Sequence, residues 1–253
     1  MNLKHVDVIL PNYNKGLYLD EAINSVIFQS YKSWKLIIID DHSTDNSIKI
    51  LSKYKNHKNI KILELKKNMG PSFCRNLGIR VSSSDYIAFL DSDDYWKKEK
   101  LKKQINFMIQ SNHHFTFTDY SSFFQIGDKK KSISDYKLPN IFDLKKFTFN
   151  SSINTSTMII SRAILKNLKF KKINKLEDYL FKCQLLSKNI KAYKLDYNGA
   201  FYRILRKSRS SERIKNIFYL WKINSQYLNY RIIKNFLSII SISINSFKKY
   251  GIK

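Results

Sequence analysis

The sequence contains few cysteines, few acidic side chains and no long apolar run. Cys74 and Cys183 are the only cysteines among 253 residues, and neither has a cysteine or histidine close to it in the sequence. This spacing argues against a zinc motif and against a disulfide framework, and it suits a reducing compartment. The longest apolar stretches are shorter than the roughly 20 residues that a membrane-spanning helix needs. We therefore expect no transmembrane segment.

The N-terminus leads into an apolar segment without the pattern of a signal peptide, so we expect a cytoplasmic protein. Hydrophobic residues make up 43% of the chain and aromatic residues 14%, which predicts a globular protein. A chain of 253 residues can bury a sizeable core, as one large domain or two small ones.

The scarcity of acids is concentrated in the second part of the chain. Residues 1–100 hold 16 basic and 12 acidic residues, whereas residues 101–253 hold 30 and 8. This asymmetry favours a polyanionic partner, which is a nucleic acid, an anionic membrane surface or a phosphorylated substrate. Lys, Ile and Asn are abundant throughout, so compositional drift in an AT-rich genome is the alternative explanation.

The first hundred residues alternate strand and helix patterns, which predicts a parallel sheet with crossover helices. The pattern reads β-α-β-α-β-α-β, with predicted strands at 6–10, 34–39, 60–65 and 86–90. Asp20 and Glu21 are expected in the first turn of the first helix, where the helix dipole favours acids. Acidic loops follow the second and fourth strands.

The fourth strand ends in three closely spaced carboxylates, Asp91, Asp93 and Asp94. Acids at the carboxyl end of a strand lie where open α/β sheets bind ligands. Because like charges this close repel each other, a divalent cation that takes oxygen ligands would relieve the repulsion. The alternative is an acidic turn that is simply solvated.

Patterns are weaker beyond residue 100. A helix is predicted around 101–108, strands at 114–118 and 158–160, and a loop at 127–131. From Glu212 onward the apolar residues follow a helical stripe, and Phe236 to Phe247 form a second amphipathic or buried segment. This tail is either a helical hairpin that packs on the core or an element that lies on a membrane surface.

Taken together, these segments resemble the family-2 glycosyltransferases, which are inverting enzymes of the GT-A fold that use nucleotide sugars. The resemblance covers roughly residues 4–210. Six motifs carry it, in family order and at family-like spacing: Val8–Asn14, Ser25–Tyr31, Ile37–Asp45, Asn68–Gly70 with Arg75–Gly78, Asp91–Asp94, and Glu177–Asp178.

The resemblance implies an α/β protein with a mostly parallel GT-A-type sheet flanked by helices. It divides residues 1–211 into a nucleotide-binding half, 1–100, and an acceptor half, 101–211. Residues 212–253 then form a basic C-terminal helical extension.

The resemblance also implies roles for individual residues. Asp178 is expected to be the catalytic base, with Glu177 orienting it. On the residues alone, these acids could instead simply favour the start of a helix. Asp93 is expected to ligate Mn²⁺ or Mg²⁺, and Asp91 to contact the ribose or the water shell of the metal. Asp94 is expected to position these carboxylates without contacting the metal itself.

For the donor, the resemblance implies that Asp41 contacts the base of the nucleotide. Pro11 and Tyr13 can supply a flat wall for the ring. On the residues alone, Asp40 and Asp41 could equally cap the following helix. Arg75 has a planar fork that suits either a phosphate or the acidic loop.

On the acceptor side, the resemblance points to Asn154, Thr155 and Ser156, and it makes Tyr202–Ser210 a mobile loop over the diphosphate. Many relatives have a histidine where Leu205 stands here, and Arg203, Arg206 and Arg209 could neutralise phosphate in its place. The alternative for these arginines is a solvated basic loop.

The expected activity is metal-dependent, inverting hexosyl or N-acetylhexosaminyl transfer from a nucleotide sugar, most simply a UDP-sugar. The expected acceptor is a glycan or glycolipid of the cell surface, such as lipooligosaccharide, O-antigen or capsule. An anionic inner-membrane surface is a further expected partner. The rivals are transfer to a polyprenyl phosphate or a protein side chain and, more distantly, a non-enzymatic protein that binds nucleic acid. No nucleic-acid motif is present, so no specific nucleic acid is expected.

Overall fold

The structure is a computed structural model that describes residues 4–126, 129–134, 137–205 and 213–250. The first part of the chain alternates strands and helices as expected. Its elements are β1 (Val6–Asn12), α1 (Gly16–Ile27), β2 (Trp34–Asp40), α2 (Ser47–Ser52), β3 (Ile60–Glu64), α3 (Pro71–Val81) and β4 (Tyr86–Phe89).

The second part is more irregular. Its elements are β5 (Tyr95–Trp96), α4 (Lys100–Gln110), β6 (Phe115–Ile126), β7 (Lys129–Ser134), β8 (Ile141–Phe142), α5 (Leu144–Phe149), β9 (Ile159–Ser161), α6 (Glu177–Leu186), β10 (Ala192–Arg203), α7 (Arg213–Leu228) and α8 (Ile232–Tyr250). Two short 3₁₀ turns cover Thr155–Thr157 and Arg162–Leu165.

The described strands form one sheet that runs through both parts of the chain. The strand order is β3-β2-β1-β4-β9-β6-β10-β5, with β7 beside β6 and β8 beside β10. Strands β1 to β4 are parallel to one another, whereas β9 runs antiparallel to both β4 and β6. The predicted parallel sheet is therefore confirmed for the first part, and β9 joins it to the second.

The carboxyl ends of β1, β2 and β4 meet at one edge of the sheet because these strands are parallel and adjacent. The Asn12 side-chain amide, at the end of β1, donates to Asp40 Oδ2 at 2.7 Å. Helix α3 lies close against β1, since a Cβ on Gly78 would come within 2.5 Å of Ile9 Cγ2. The turn before α3 is held at the same edge, because the backbone N–H groups of Met69 and Gly70 donate to Asp41, which follows β2.

Two local predictions were wrong. Helix α1 begins at Gly16, so Asp20 and Glu21 lie in its second turn, and its first turn contains no acid. The predicted loop at 127–131 is also too long, because Lys129–Lys131 belong to strand β7, which pairs with β6.

The tail forms the predicted helical hairpin of α7 and α8, and only part of its apolar surface packs on the core. Leu220, Ile223, Ile239 and Ile242 are buried in the core, whereas Ile214, Phe218 and Ile232 of the predicted stripe are largely exposed. Hydrogen bonds also attach the hairpin, among them one from Ser241 Oγ to the Phe149 carbonyl at 2.7 Å. No helix within the described residues is long and apolar enough to cross a membrane.

Candidate active site

Each carboxylate of the acidic loop after β4 is bound by a different partner. Asp91 Oδ1 lies 2.7 Å from an Arg75 guanidinium nitrogen, and Asp93 Oδ2 lies 2.8 Å from Lys15 Nζ. Lys15 stands in the turn between β1 and α1. Cationic side chains from two neighbouring segments therefore offset the repulsion that the sequence indicated.

Asp94 differs from its neighbours because it is buried and both of its carboxylate oxygens are used inside the protein. Its Oδ2 accepts from Ser156 Oγ at 2.6 Å, and its Oδ1 accepts from the Arg203 backbone N–H at 3.0 Å. Burial raises the pKa of Asp94 well above its usual value, and the charges of Asp93 and Asp91 raise it further. Asp94 thus fixes the acidic loop to β10 and to the 3₁₀ turn that contains Ser156.

Arg75 connects the acidic loop to helix α6. Its guanidinium is almost fully buried and bridges Asp91 to Glu177 Oε1, which lies 3.5 Å away. Burial would lower the pKa of Arg75, but Asp91, Glu177 and Asp178 outweigh burial and raise it. Of the two roles that the sequence left open, the geometry gives Arg75 that of holding the acidic loop.

Glu177 and Asp178 open helix α6, where the helix dipole favours negative charge. The preceding residue, Leu176, has a φ of 62°, in the left-handed region that bulky side chains rarely adopt. Such strain is typical of sites where the surrounding structure dictates a side-chain position.

Asp178 has a cationic partner on its own helix. Its Oδ2 lies 2.8 Å from Lys182 Nζ, and it also accepts from Thr155 Oγ1 at 3.2 Å. Burial would raise the pKa of Asp178, but the charge and hydrogen bond of Lys182, together with the charge of Arg75, hold it below its usual value. Asp178 is therefore ionised at neutral pH.

The short turn that contains Asn154, Thr155 and Ser156 lies between the acidic loop and α6. Ser156 Oγ accepts from the Asp91 backbone N–H at 3.1 Å while it donates to Asp94. Asn154 Oδ1 accepts from the Ser156 backbone N–H at 2.7 Å, which closes the turn. The structure thus brings together three predicted groups: the acidic loop, this turn and the pair of acids on α6.

The residues predicted to contact the nucleotide base lie at the same edge, after β1 and β2. Tyr13 is exposed and Pro11 half-buried, so both present surface there. Asp41 is buried, and its two carboxylate oxygens accept the backbone N–H groups of Met69 and Gly70 at 2.6 and 2.8 Å. Asp41 therefore positions the turn before α3.

Neither Asp40 nor Asp41 caps helix α2, which was the alternative from the sequence. Helix α2 begins at Ser47, and the Ser47 N–H donates to Asp45 Oδ1 at 3.0 Å. Asp40 instead accepts from the Ser43 N–H at 2.9 Å and so closes the loop after β2.

Arg203 does not lie in a solvated loop. It ends strand β10, its side chain is buried, and its guanidinium binds Glu21, Gln125 and the Asp93 carbonyl. These contacts make it a support of the acidic loop, in place of the phosphate contact expected from the sequence. Arg206 and Arg209 lie outside the described residues.

The donor set at the acidic loop fits a divalent cation only in a restricted way. Among the described residues, no three His, Cys, Asp or Glu side chains are grouped as a metal site. Asp94 already uses both oxygens, which leaves Asp91 and Asp93 as the carboxylates that could hold a cation. This agrees with Mg²⁺-type sites, in which one or two carboxylates and the phosphates of a substrate supply the ligands.

Reasoning from the sequence missed Lys15 and Lys182. The role of Lys182 could have been predicted, because a lysine four residues after an acid on a helix is a familiar ion-pair spacing. The role of Lys15 could not, since its contact with Asp93 depends on how the loops after β1 and β4 lie against each other.

Comparisons with known proteins establish the class to which this fold and site belong. The sequence profile of glycosyl transferase family 2 matches residues 7–169, so the chain belongs to this family. It is 32% identical over 252 residues to an uncharacterised glycosyltransferase of Haemophilus influenzae, covering 99% of both chains.

A second relative has a more specific description. The chain is 29% identical over 223 residues to the Escherichia coli UDP-Glc:alpha-D-GlcNAc-diphosphoundecaprenol beta-1,3-glucosyltransferase WfgD, covering 88% of this chain and 86% of that protein. Among solved structures, Staphylococcus aureus TarS 1–349 in complex with UDP-GlcNAc superimposes with a TM-score of 0.72 at 23% identity, over 96% of this chain and 73% of that chain. This likeness confirms the GT-A fold.

Proposed function

We propose that the protein transfers a hexose or N-acetylhexosamine from a UDP-sugar to a hydroxyl of a cell-surface glycan, with inversion at the anomeric carbon. The observation that carries the proposal is the guanidinium of Arg75, which bridges Asp91 of the acidic loop to Glu177, the neighbour of Asp178 on α6. This bridge supports a candidate diphosphate site and a candidate catalytic base that lie close together. The relative WfgD, described as a glucosyltransferase that uses UDP-Glc, supports the choice of donor.

The nucleotide half, residues 1–100, would hold the donor. The uracil ring of the donor would lie against Tyr13 and Pro11, close to the loop that Asp41 holds. The diphosphate would lie near the acidic loop. Lys15 is the cation closest to Asp93 and is placed to approach the same phosphates.

The acceptor half, residues 101–211, would supply the catalytic base. In the proposed step Asp178 takes the proton of the acceptor hydroxyl while the hydroxyl oxygen attacks the anomeric carbon. The bond from that carbon to the diphosphate oxygen breaks at the same time, and UDP leaves with the electron pair. Attack opposite the leaving group inverts the configuration. Glu177 and Lys182 would orient Asp178 for this step.

Enzymes of this fold commonly use divalent metals. We propose Asp93 and Asp91 as the residues that would hold Mn²⁺ or Mg²⁺. The cation would neutralise the charge that develops on the leaving diphosphate.

The acceptor proposed is a glycan on a lipid carrier, in keeping with the diphosphoundecaprenol in the description of WfgD. The surface polymer would be lipooligosaccharide, O-antigen or capsule. A cytoplasmic protein that works on such an acceptor would associate with the inner face of the plasma membrane, and we include this location in the proposal.

Calorimetric titration tests the donor site. UDP, GDP and CDP are titrated with and without Mn²⁺ into wild type, Asp93→Asn and the matched control Asp196→Asn, whose side chain is exposed and remote from the acidic loop. We expect UDP to bind best, more tightly with Mn²⁺, and only Asp93→Asn to lose the metal effect. Binding of UDP that ignores Mn²⁺ would remove the cation from the proposal, and binding of no nucleotide would contradict the donor site.

Turnover tests the base. With UDP-sugars and a panel of lipid-linked and free glycans, we expect Asp178→Asn to retain UDP affinity and lose at least about 100-fold in rate, which is typical for the removal of a general base. Asp178→Asn with wild-type turnover would assign the base elsewhere. Transfer to a polyprenyl phosphate or a peptide instead of the glycans would replace the proposed acceptor.

A further inference from the structure

The hairpin of α7 and α8 presents a row of large apolar side chains outward, in addition to those that it buries in the core. On α8 the exposed apolar side chains recur every three or four positions and form one stripe: Ile232, Ile233, Phe236, Leu237, Ile240, Ile244 and Phe247. At 1.5 Å per residue this stripe is about 22 Å long. A helix on the surface of a soluble domain normally turns such a stripe toward the core.

The side of α8 that faces the protein is mixed: two isoleucines are buried in the core, and polar side chains are buried beside them. Asn235 and Ser238 are buried, and Asn224 of α7 donates to both of them at 3.0 Å. Asn245 donates to the Phe149 carbonyl at 3.2 Å. Because the inward apolar side chains and hydrogen bonds such as that of Asn245 already attach the hairpin to the body, the outward stripe remains available for another surface.

Helix α7 carries further exposed apolar side chains at helical spacing, namely Ile214, Ile217, Phe218 and Trp221. Soluble monomers rarely expose so many large apolar side chains together, and such patches mark contact surfaces.

The charge of the hairpin decides between the surfaces that could cover it. Residues 213–250 contain seven Lys or Arg and no Asp or Glu. Two copies that met through this face would bring like charges together, which opposes association. An anionic lipid surface would instead attract each nearby basic side chain, and an amphipathic helix can bury its apolar face at the lipid headgroups.

The hairpin is also attached to the segments that carry the proposed acceptor side. Tyr179, next to Asp178 on α6, donates its hydroxyl to Asn224 Oδ1 at 2.9 Å. At the other end of the hairpin, Lys249 Nζ lies 3.4 Å from the carbonyl of Ser152, two residues before Asn154. A membrane against the hairpin would therefore adjoin the acceptor half.

We infer that α8, with α7 beside it, is an interfacial element that docks this protein on an anionic membrane by the outward stripe and the basic side chains around it. The inference adds a membrane surface to the partners of the proposed function. It rests on that function in one respect only: docking would give the protein access to a lipid-linked acceptor.

The test is co-sedimentation of the full chain with vesicles of phosphatidylglycerol and phosphatidylcholine, and with vesicles of phosphatidylcholine alone. Phe236→Glu and Ile240→Glu interrupt the stripe. Phe28→Glu and Ile109→Glu are matched controls, because Phe28 is 65% exposed against 58% for Phe236, and Ile109 is 47% exposed against 39% for Ile240. We expect wild type and both controls to bind the anionic vesicles, and each stripe variant to lose roughly tenfold or more in affinity.

A charge arm separates the basic contribution from the apolar one. Lys234→Gln with Lys248→Gln should weaken anionic-vesicle binding about 25-fold, at about fivefold for each charge, whereas Lys58→Gln with Lys67→Gln, exposed elsewhere, should not. Circular dichroism of every variant confirms that the helices are retained. The assay uses neither nucleotide nor acceptor, so its failure and the failure of the proposed transferase activity are separate results.

Three outcomes would overturn the inference. The first is wild type that does not sediment with anionic vesicles, and the second is stripe variants that bind as wild type does. The third is a dimer in solution that Phe236→Glu converts to monomer, because the stripe would then be an interface between copies.

Discussion

The carboxylate of Asp178 and the ammonium of Lys182 form a pair that determines how Asp178 can act as a base. Lys182 is buried, and its Nζ also donates to the Ile153 carbonyl at 2.8 Å. The pair keeps Asp178 ionised at neutral pH, but a carboxylate with a lowered pKa is also a weaker base. We expect the acceptor hydroxyl, once bound, to draw Asp178 partly away from Lys182.

Lys182→Met tests this positioning role. Without the ammonium the pKa of Asp178 rises, so the low-pH limb of the kcat/KM profile should move to higher pH. Activity should fall most at acidic pH, where Asp178 is protonated in the variant but still ionised in wild type. Lys191→Met, at an exposed position beyond the same helix, is the control and should retain the wild-type profile.

A merely structural role for Lys182 would lower the rate equally at every pH and leave the limb in place. The same pair also affects stability. Because the pKa of Asp178 is lower in the folded state, its contribution is present above the pKa of the unfolded chain and is lost as the pH falls through the folded value.

At the level of elements, the attachment of α8 ends in a buried lysine. Lys249 has only 5% of its surface exposed, and its Nζ lies over the Tyr120 ring at 4.6 Å. Burial, together with the charge of Lys182, lowers the pKa of Lys249 to about 7, although the charge of Asp119 acts in the opposite direction. Between this value and the ordinary lysine pKa, the unfolded chain binds more protons than the folded one, so stability rises with pH.

Lys249→Met should remove this dependence. For wild type we expect the free energy of unfolding to rise between pH 7 and pH 9 by as much as about 1.4 kcal/mol per pH unit from this one group. The variant should be more stable than wild type at pH 7 and show a flatter curve. Chemical denaturation at several pH values measures both, with the exposed neighbour variant Lys248→Met as control. Parallel curves for wild type and Lys249→Met would show that Lys249 is not held neutral.

How far the sequence predicts the structure differs between elements for physical reasons. Strands β1, β2 and β4 are largely apolar runs bounded by polar turns, and local pattern suffices for such buried parallel strands. Strand β10 breaks that pattern with two register shifts against β6, and its residues are partly exposed, so no local signal marks it.

The same contrast applies to the candidate site. The acidic loop and the acids of α6 are visible as clusters of charge in the sequence. The burial of Arg203 is not, because it depends on Glu21 of α1 and on the Asp93 carbonyl, both distant in the sequence. The outward stripe of α8 has the periodicity of a core helix, and periodicity alone does not say which medium covers a helix.

At the scale of the whole molecule, the net charge of +26 is unevenly placed. Residues 1–100, the proposed nucleotide half, hold 16 basic and 12 acidic residues, whereas most of the excess lies beyond residue 100. If the excess of basic side chains binds a membrane surface, a polyanion in solution should compete with that surface. The same polyanion should not affect binding at the proposed donor site.

Competition with duplex DNA measures this separation. We expect DNA of any sequence to displace the protein from anionic vesicles at low salt, and its affinity to fall by on the order of 10³ between 50 and 200 mM salt if about six phosphates are contacted. The affinity for UDP should change little when DNA is added, because the donor edge is nearly balanced in charge. Displacement of UDP by DNA would mean that the basic excess converges on the donor site and would count against a separate docking surface. A preference for one DNA sequence that persists at high salt would favour the nucleic-acid rival, since charge alone carries no sequence information.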